Sequence, residues 1–108
     1  MIYEMRLYDC CPGRLPALQK RFENVTLALW EKYGIRQVGF WTTLIGPSSH
    51  RLTYILAWES LAERESKWNA FQVDPEWIAK RTASEVDGPI LANIESSFLA
   101  PTAFSKLK

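Results

Sequence analysis

Two segments near the middle of the chain constrain its fold more than anything else. One runs Val38-Gly39-Phe40-Trp41-Thr42-Thr43-Leu44-Ile45 and the other Leu52-Thr53-Tyr54-Ile55-Leu56-Ala57-Trp58. A strand with one wet face alternates apolar and polar side chains. These segments place large apolar residues on successive positions, so both faces of the sheet they build ask for cover. The helices that the rest of the sequence supplies can cover only one face. The other must meet the chain's own tail or a second copy of the chain.

The elements follow from hydrophobic period and punctuation. Ile2 to Asp9 alternates, with Tyr3, Met5 and Leu7 on one face and Ile2, Glu4, Arg6 and Tyr8 on the other; Pro12-Gly13 ends this strand. A helix is expected from Arg14 to Lys32, because Leu15, Leu18, Phe22, Val25 and Leu29 recur at steps of three and four. Pro16 lies in its first turn, where a missing N–H is harmless, and Gly34 suits a left-handed stop. Strands over 36–45 and 51–59 form a hairpin around Gly46-Pro47-Ser48-Ser49-His50. Ser60 and Glu63 make a capping box, with Glu63 reaching back to the Ser60 N–H; the helix it opens carries Leu61, Trp68 and Phe71. Asp74-Pro75 opens a short helix over Trp77 and Ile78, which Asp87-Gly88-Pro89 ends. Ile90 to Leu99 is the last strand, and a tail follows.

The order β-α-β-β-α-α-β over one domain, 1–108, predicts an α+β, ferredoxin-like fold: a four-stranded antiparallel sheet with the helices on one face. The other face, rich in Trp and Tyr, is too large an apolar patch to leave in water. Two sheets packed face to face as a homodimer would close it. The alternative is a monomer whose tail folds back, but nine residues are few for a four-stranded sheet.

Composition narrows the function by exclusion. Thirteen basic and twelve acidic residues leave a net charge of +1 with no basic cluster, so a nucleic-acid footprint is not expected. The start, Met-Ile-Tyr-Glu-Met-Arg, is not a signal peptide, and no long apolar run predicts a membrane span; the cytoplasm is the simplest location. Cys10 and Cys11 are the only cysteines and are adjacent, which gives neither a disulfide framework nor a zinc set. No metal or cofactor motif is present, and no residue stands out as catalytic. His50 is the lone imidazole and reads as a loop residue; ligation of haem iron is the sharper alternative.

The candidate binding residues lie on the strands. Glu4, Arg6 and Tyr8 share a period of two with Asn93, Glu95 and Ser97, and the topology pairs these strands; together they would line one wall of the dimer barrel. Arg6 there either pairs with Glu4 or Glu95, or holds a ligand carboxylate with Tyr8 and Ser97 as donors. Trp41, Tyr54 and Trp58 would supply an apolar wall for a flat or oily ligand. Alternation does not decide which faces the residues of the second and third strands take. Glu63-Arg64-Glu65 with Lys67 reads as a solvated helix face.

The sequence resembles the NIPSNAP family. The likeness rests on Ile2-Tyr3-Glu4-Met5-Arg6-Leu7-Tyr8 with Pro12-Gly13, on Gly39-Phe40-Trp41-Thr42-Thr43 with Ile45-Gly46-Pro47, on Leu61-Ala62-Glu63-Arg64 and Asp74-Pro75-Glu76-Trp77, and on Leu99-Ala100-Pro101-Thr102-Ala103-Phe104-Ser105. It implies a dimeric α/β-barrel of a bacterial type. The wider group includes cofactor-independent monooxygenases, haem-degrading enzymes and proteins without known activity. Where many relatives carry a His on the third strand, this chain has Tyr54. The resemblance therefore implies a small-molecule-binding or interaction module without established catalysis. The alternative is a monooxygenase-like enzyme for a small apolar substrate, with a phenol in place of the imidazole.

Overall fold

In the computed structural model, which describes residues 1–108, the chain forms one antiparallel sheet backed by one helical layer. The strands are β1 (Ile2–Cys10), β2 (Arg36–Thr42), β3 (Arg51–Trp58) and β4 (Leu91–Leu99), in the order β2-β3-β1-β4. The helices are α1 (Leu15–Arg21), α2 (Leu27–Tyr33), α3 (Leu61–Gln72) and α4 (Pro75–Ser84). This is the ferredoxin-like α+β arrangement expected from the element order.

The first expected helix is continuous but not uniform. Residues Phe22–Thr26 form a π-helical turn between α1 and α2. The Leu27 N–H donates to the Phe22 carbonyl, and the Thr26 hydroxyl donates back to the Arg21 carbonyl at 3.3 Å. The widened turn shifts the phase of the buried stripe by one residue. Leu18, Arg21, Phe22, Thr26, Leu29 and Trp30 become the buried residues, whereas a uniform helix would turn Val25 inward. Such turns recur at functional sites because they redirect side chains in mid-helix. Gly34 caps α2 at φ 72°, the left-handed stop expected.

The second strand is shorter than its sequence suggested. It ends at Thr42, which pairs with Leu52, and Leu44 and Ile45 are more than nine-tenths exposed. Their apolar character met no partner, because β3 begins only at Arg51 and its pairing with β2 ends at Thr42–Leu52. A bulge at Val38 separates the pairs Gln37–Leu56 and Gly39–Ile55. Gly39 leaves room on the outer face for the Trp41 ring; a Cβ there would lie 2.9 Å from Trp41 Cη2.

Both helix caps form. Ser60 Oγ accepts from the Glu63 N–H at 3.1 Å, although Glu63 reaches back to the N–H of Glu59, not of Ser60. Asp74 Oδ1 accepts from the Trp77 N–H at 3.0 Å and so starts α4. Asp74 also accepts from the Tyr33 hydroxyl, and from Lys32 Nζ at 3.2 Å, which ties α4 to the end of α2. The Tyr33 and Trp77 bonds, assisted by Lys32, hold the Asp74 carboxyl down at about 2, below its ordinary 3.8. A depressed folded-state pKa contributes stability that is present above 3.8 and is lost as pH falls through about 2. Asp74→Ala should therefore lower the Tm by several degrees at neutral pH, with the gap from wild type closing across that acid window. Thermal melts followed by circular dichroism read both; a pH-independent gap would remove the charge from the explanation.

The core lies between the helices and one face of the sheet. It takes Tyr8 and Cys10 from β1, Leu52, Tyr54, Leu56 and Trp58 from β3, and Leu18, Phe22, Leu29, Trp30, Trp68, Phe71 and Trp77 from the helical layer. Each contributing strand residue is two from the next, so the helices cover a single face. The opposite face carries Tyr3, Met5, Leu7, Ile55 and Leu99, with Trp41 half exposed, and no helix lies on it. On this face Tyr3 and Ala57 are buried, whereas Leu99 and Trp41, and Phe104 and Leu107 of the tail, are exposed. The molecule is accordingly a slab, 19 Å in its shortest dimension, with a radius of gyration of 14.5 Å. A compact domain of this length has about 13 Å.

Candidate functional site

The polar side chains of β1 point under the helices. Glu4, Arg6 and Tyr8 lie on the same face as Tyr54 and Trp58, not on the outer face where a barrel wall would form. The expected wall of six polar residues is corrected further by register. β4 pairs with β1 so that Ser96 faces Arg6 and Ser97 faces Met5. Ser97 and Glu95 therefore point to the outer face, away from Arg6. A shift of one residue between two regular strands exchanges the faces of every side chain, and no local feature of β4 specifies that shift.

Glu4 is fully buried and is the hub of the site. It accepts from Arg6 Nη1 at 2.8 Å, from Arg64 Nε and Nη2 at 3.2 Å each, from Ser96 Oγ at 2.7 Å and from Trp58 Nε1 at 3.1 Å. Burial pushes the Glu4 carboxyl up, but the bonds from Arg64, Ser96 and Arg6 outweigh it, so the group sits below the ordinary carboxylate range. The ion pair expected for Arg6 thus forms with Glu4 and not with Glu95. Arg64 was expected on a solvated face; instead it grips Glu4 in a fork and lies 5.2 Å from the Trp68 ring centre. Arg6 lies over the same ring at 4.7 Å. Two guanidiniums against one carboxylate leave the cluster with an excess positive charge.

A second chain of hydrogen bonds leaves Arg6. Its Nε donates to the Tyr54 hydroxyl at 2.8 Å, and Tyr54 donates to the Tyr8 hydroxyl at 2.7 Å. Tyr8 also accepts from Arg6 Nη2 at 3.2 Å. Tyr8 accepts from both neighbours, and its own O–H finds no acceptor in the fold. Burial, reinforced by Tyr8, pushes the Tyr54 phenol well above its ordinary pKa against the pull of Arg6. Tyr54 therefore stays neutral and is a poor base at physiological pH, whatever role a His has at this position elsewhere.

Beside this network lies a cleft of about 140 Å³ between sheet and helices, lined by Arg6, Tyr8, Arg21, Phe22, Thr26, Trp30, Trp68, Phe71, Gln72, Trp77, Arg81, Leu91 and Ile94. The π-helical turn explains four of these thirteen residues, since Arg21, Phe22, Thr26 and Trp30 are the ones it turns inward. No carboxylate and no His line the cleft. A wider, more open hollow of about 400 Å³ lies at the β2 end, between Gln19, Phe22, Glu23, Leu27, Phe40, Trp41, Thr42 and Leu52.

Of the residues marked from the sequence, Arg6, Tyr8 and Tyr54 come together. Trp58 joins them only as a buried donor to Glu4, and Trp41 and Ser97 lie on the other face of the sheet. His50 is exposed in the β2–β3 turn and touches neither network nor cleft. Cys10 is buried, and burial together with Cys11 pushes its thiol up, so it is not an activated nucleophile. Sequence reasoning missed Arg21 and Arg81. Their signal was an Arg at an apolar-stripe position, three residues after Leu18 in one case and four after Trp77 in the other.

A model of the NIPSNAP family matches residues 3–106. The chain belongs to the NIPSNAP family. A crystal structure of an uncharacterized NIPSNAP domain protein from Burkholderia xenovorans is 29% identical, with a TM-score of 0.81 over 97% of this chain and 98% of that one. A NIPSNAP family protein with unknown function from Agrobacterium tumefaciens is 27% identical, with a TM-score of 0.87 over 100% of this chain and 94% of that one. A protein from Nitrosomonas europaea named for antibiotic biosynthesis monooxygenase shares the fold, and the fold alone, at 9% identity, covering 94% of this chain and 98% of that one with a TM-score of 0.64. No curated protein matches the NIPSNAP chain described here. None of its helices is long and apolar enough to cross a membrane.

Proposed function

We propose that this NIPSNAP protein is a homodimer that binds a small molecule in the cleft between its sheet and its helical layer, as a binding module and not a catalyst. The observation that carries the binding half is the cleft itself. It stays open beside a buried polar network whose last hydroxyl, that of Tyr8, has no acceptor. A purely structural core would close over such a group, because an unsatisfied buried donor costs free energy.

The homodimer is supported by the bare outer face. Met5, Leu7, Ile55 and Leu99 present an apolar sheet surface that the 19 Å slab leaves uncovered. A second sheet related by a two-fold axis would cover it with its own equivalent. The absence of any carboxylate or His from the cleft walls, with Tyr54 held neutral, leaves the monooxygenase-like alternative without an evident base.

Native mass spectrometry of the protein purified from its own host tests both halves. The expected result is a dimer mass that carries an additional small molecule, released on denaturation. A dimer with no added mass, together with failure to take up any small acid or amide, would overturn the binding reading; a monomer would overturn the assembly.

A further inference from the structure

The cleft that the binding reading rests on is strongly unbalanced in its hydrogen-bonding groups. Three buried side-chain nitrogens in the protein lack any partner: Arg21 Nε, Trp30 Nε1 and Trp77 Nε1. All three belong to residues that line this one cleft, and all three are donors. The Tyr8 hydroxyl adds a fourth donor, at the end of the Arg6–Tyr54–Tyr8 chain, where each bond polarises the next.

The charges are unbalanced in the same sense. Arg6, Arg21 and Arg81 line the cleft and no acidic side chain does. Arg6 is matched by Glu4, which Arg64 shares. The Arg21 side chain is 5% exposed, yet its one ion pair is a 3.4 Å contact to Glu85, a side chain 37% exposed. Arg81 faces the Trp77 ring at 5.9 Å and has no carboxylate partner. Arg21 Nη1 also donates to Ser84 Oγ at 3.3 Å, so what the cleft lacks is acceptors for the buried Arg21 Nε and the two indole N–H groups; such donors are costly in an empty site and become favourable when an anion enters it.

We infer that the ligand of this cleft is a small organic carboxylate with a compact apolar body, its carboxylate held by Arg21 and Arg81 with help from the indole N–H groups of Trp30 and Trp77. The size of the cleft, about 140 Å³, sets the body. A cavity of roughly 150 Å³ admits one benzene ring. The aromatic walls favour a flat body over a branched one. Arg6, the residue the sequence marked for this task, keeps a different one: it anchors Glu4 and, through Tyr54, orients the Tyr8 hydroxyl toward an acceptor.

The test compares benzoate with benzamide, which has the same shape and an acceptor oxygen but no charge. Both are titrated into the full-length protein by calorimetry. In parallel, the five indole N–H signals are followed by ¹H–¹⁵N correlation, with Trp30→Phe and Trp77→Phe identifying two of them. The expected result is that benzoate binds at least about tenfold more tightly than benzamide and moves the Trp30 and Trp77 signals downfield. Arg81→Gln, at a part-exposed position, should weaken benzoate about tenfold and benzamide by clearly less, since only the charged partner loses its counter-ion; Arg21→Gln should show the same order. Equal binding of the two compounds would overturn the carboxylate inference and leave the cleft as a site for neutral molecules. Benzoate binding that Arg81→Gln does not weaken, or that leaves both indole signals in place, would put the anion elsewhere. Failure of both compounds to bind at millimolar concentration would overturn this inference and the binding reading together.

Discussion

Glu4→Ala is expected to destabilise the protein by about 3–5 kcal/mol, the cost of leaving buried guanidiniums without their carboxylate. Glu4 is the acceptor for Arg6, Arg64, Ser96 and Trp58. Without it, Arg6 and Arg64 stand against one Trp68 ring, at 4.7 and 5.2 Å, with nothing to offset their repulsion. Arg64 can swing to solvent from its part-exposed position, but Arg6 is held beneath α3 by its bonds to Tyr54 and Tyr8. Urea denaturation measures the loss, with an unchanged m-value showing that the folded state remains compact. Adding Arg6→Met to Glu4→Ala should recover part of it, since the worst element is the unpaired charge and not the missing pair. The folded-state pKa of Glu4 lies below its ordinary 4.5, so this stability is present above 4.5 and is lost as pH falls beneath it. The variant should lack that acid-range loss. A cost near 1 kcal/mol would mean that water, and not Glu4, neutralises the two arginines.

Ile55→Asp should convert the proposed homodimer to a monomer while leaving the fold intact. Ile55 sits between Met5 and Gly39 on the outer face, opposite the core-facing Tyr54 and Leu56. A two-fold axis would bury two aspartates without partners, a penalty on the order of 4 kcal/mol or more, or roughly a thousandfold in Kd. Size-exclusion chromatography with light scattering reads the mass, and circular dichroism reads the fold. A wild-type protein that is monomeric at micromolar concentration would show that the apolar face has another occupant.

Much of the architecture was legible in the sequence because it is written locally. The period of the stripe in residues 14–32, the Ser60 and Asp74 caps and the αL stop at Gly34 each depend on neighbours within a few residues. The π-helical turn was not legible, since the hydrophobic stripe read well enough as an ordinary helix and the insertion is settled by what the far side packs against. Leu44 and Ile45 misled for the complementary reason. Their β propensity is real, but propensity acts only where a partner strand lies alongside, and β3 starts too late to pair with them.

The candidate site divides along the same line. Tyr8, Arg6 and Tyr54 could be marked from residue type and period, because a charged residue and phenols inside apolar strands need partners wherever they point. Arg64 read as part of a solvated face, and Arg21 and Arg81 were missed, since a helix face shows its character only once something is packed on it. By itself the sequence determined the strand and helix order, the family, and a sheet with one face too apolar for water, since all three follow from short-range pattern. Only the tertiary structure decided that the polar face of β1 turns inward to the helices, that Ser96 and not Ser97 meets Glu4, and that three arginines converge on one cleft. Strand register and helix docking are set by contacts between residues far apart in sequence, such as Glu4 and Ser96, 92 positions apart, and local physics carries no record of them.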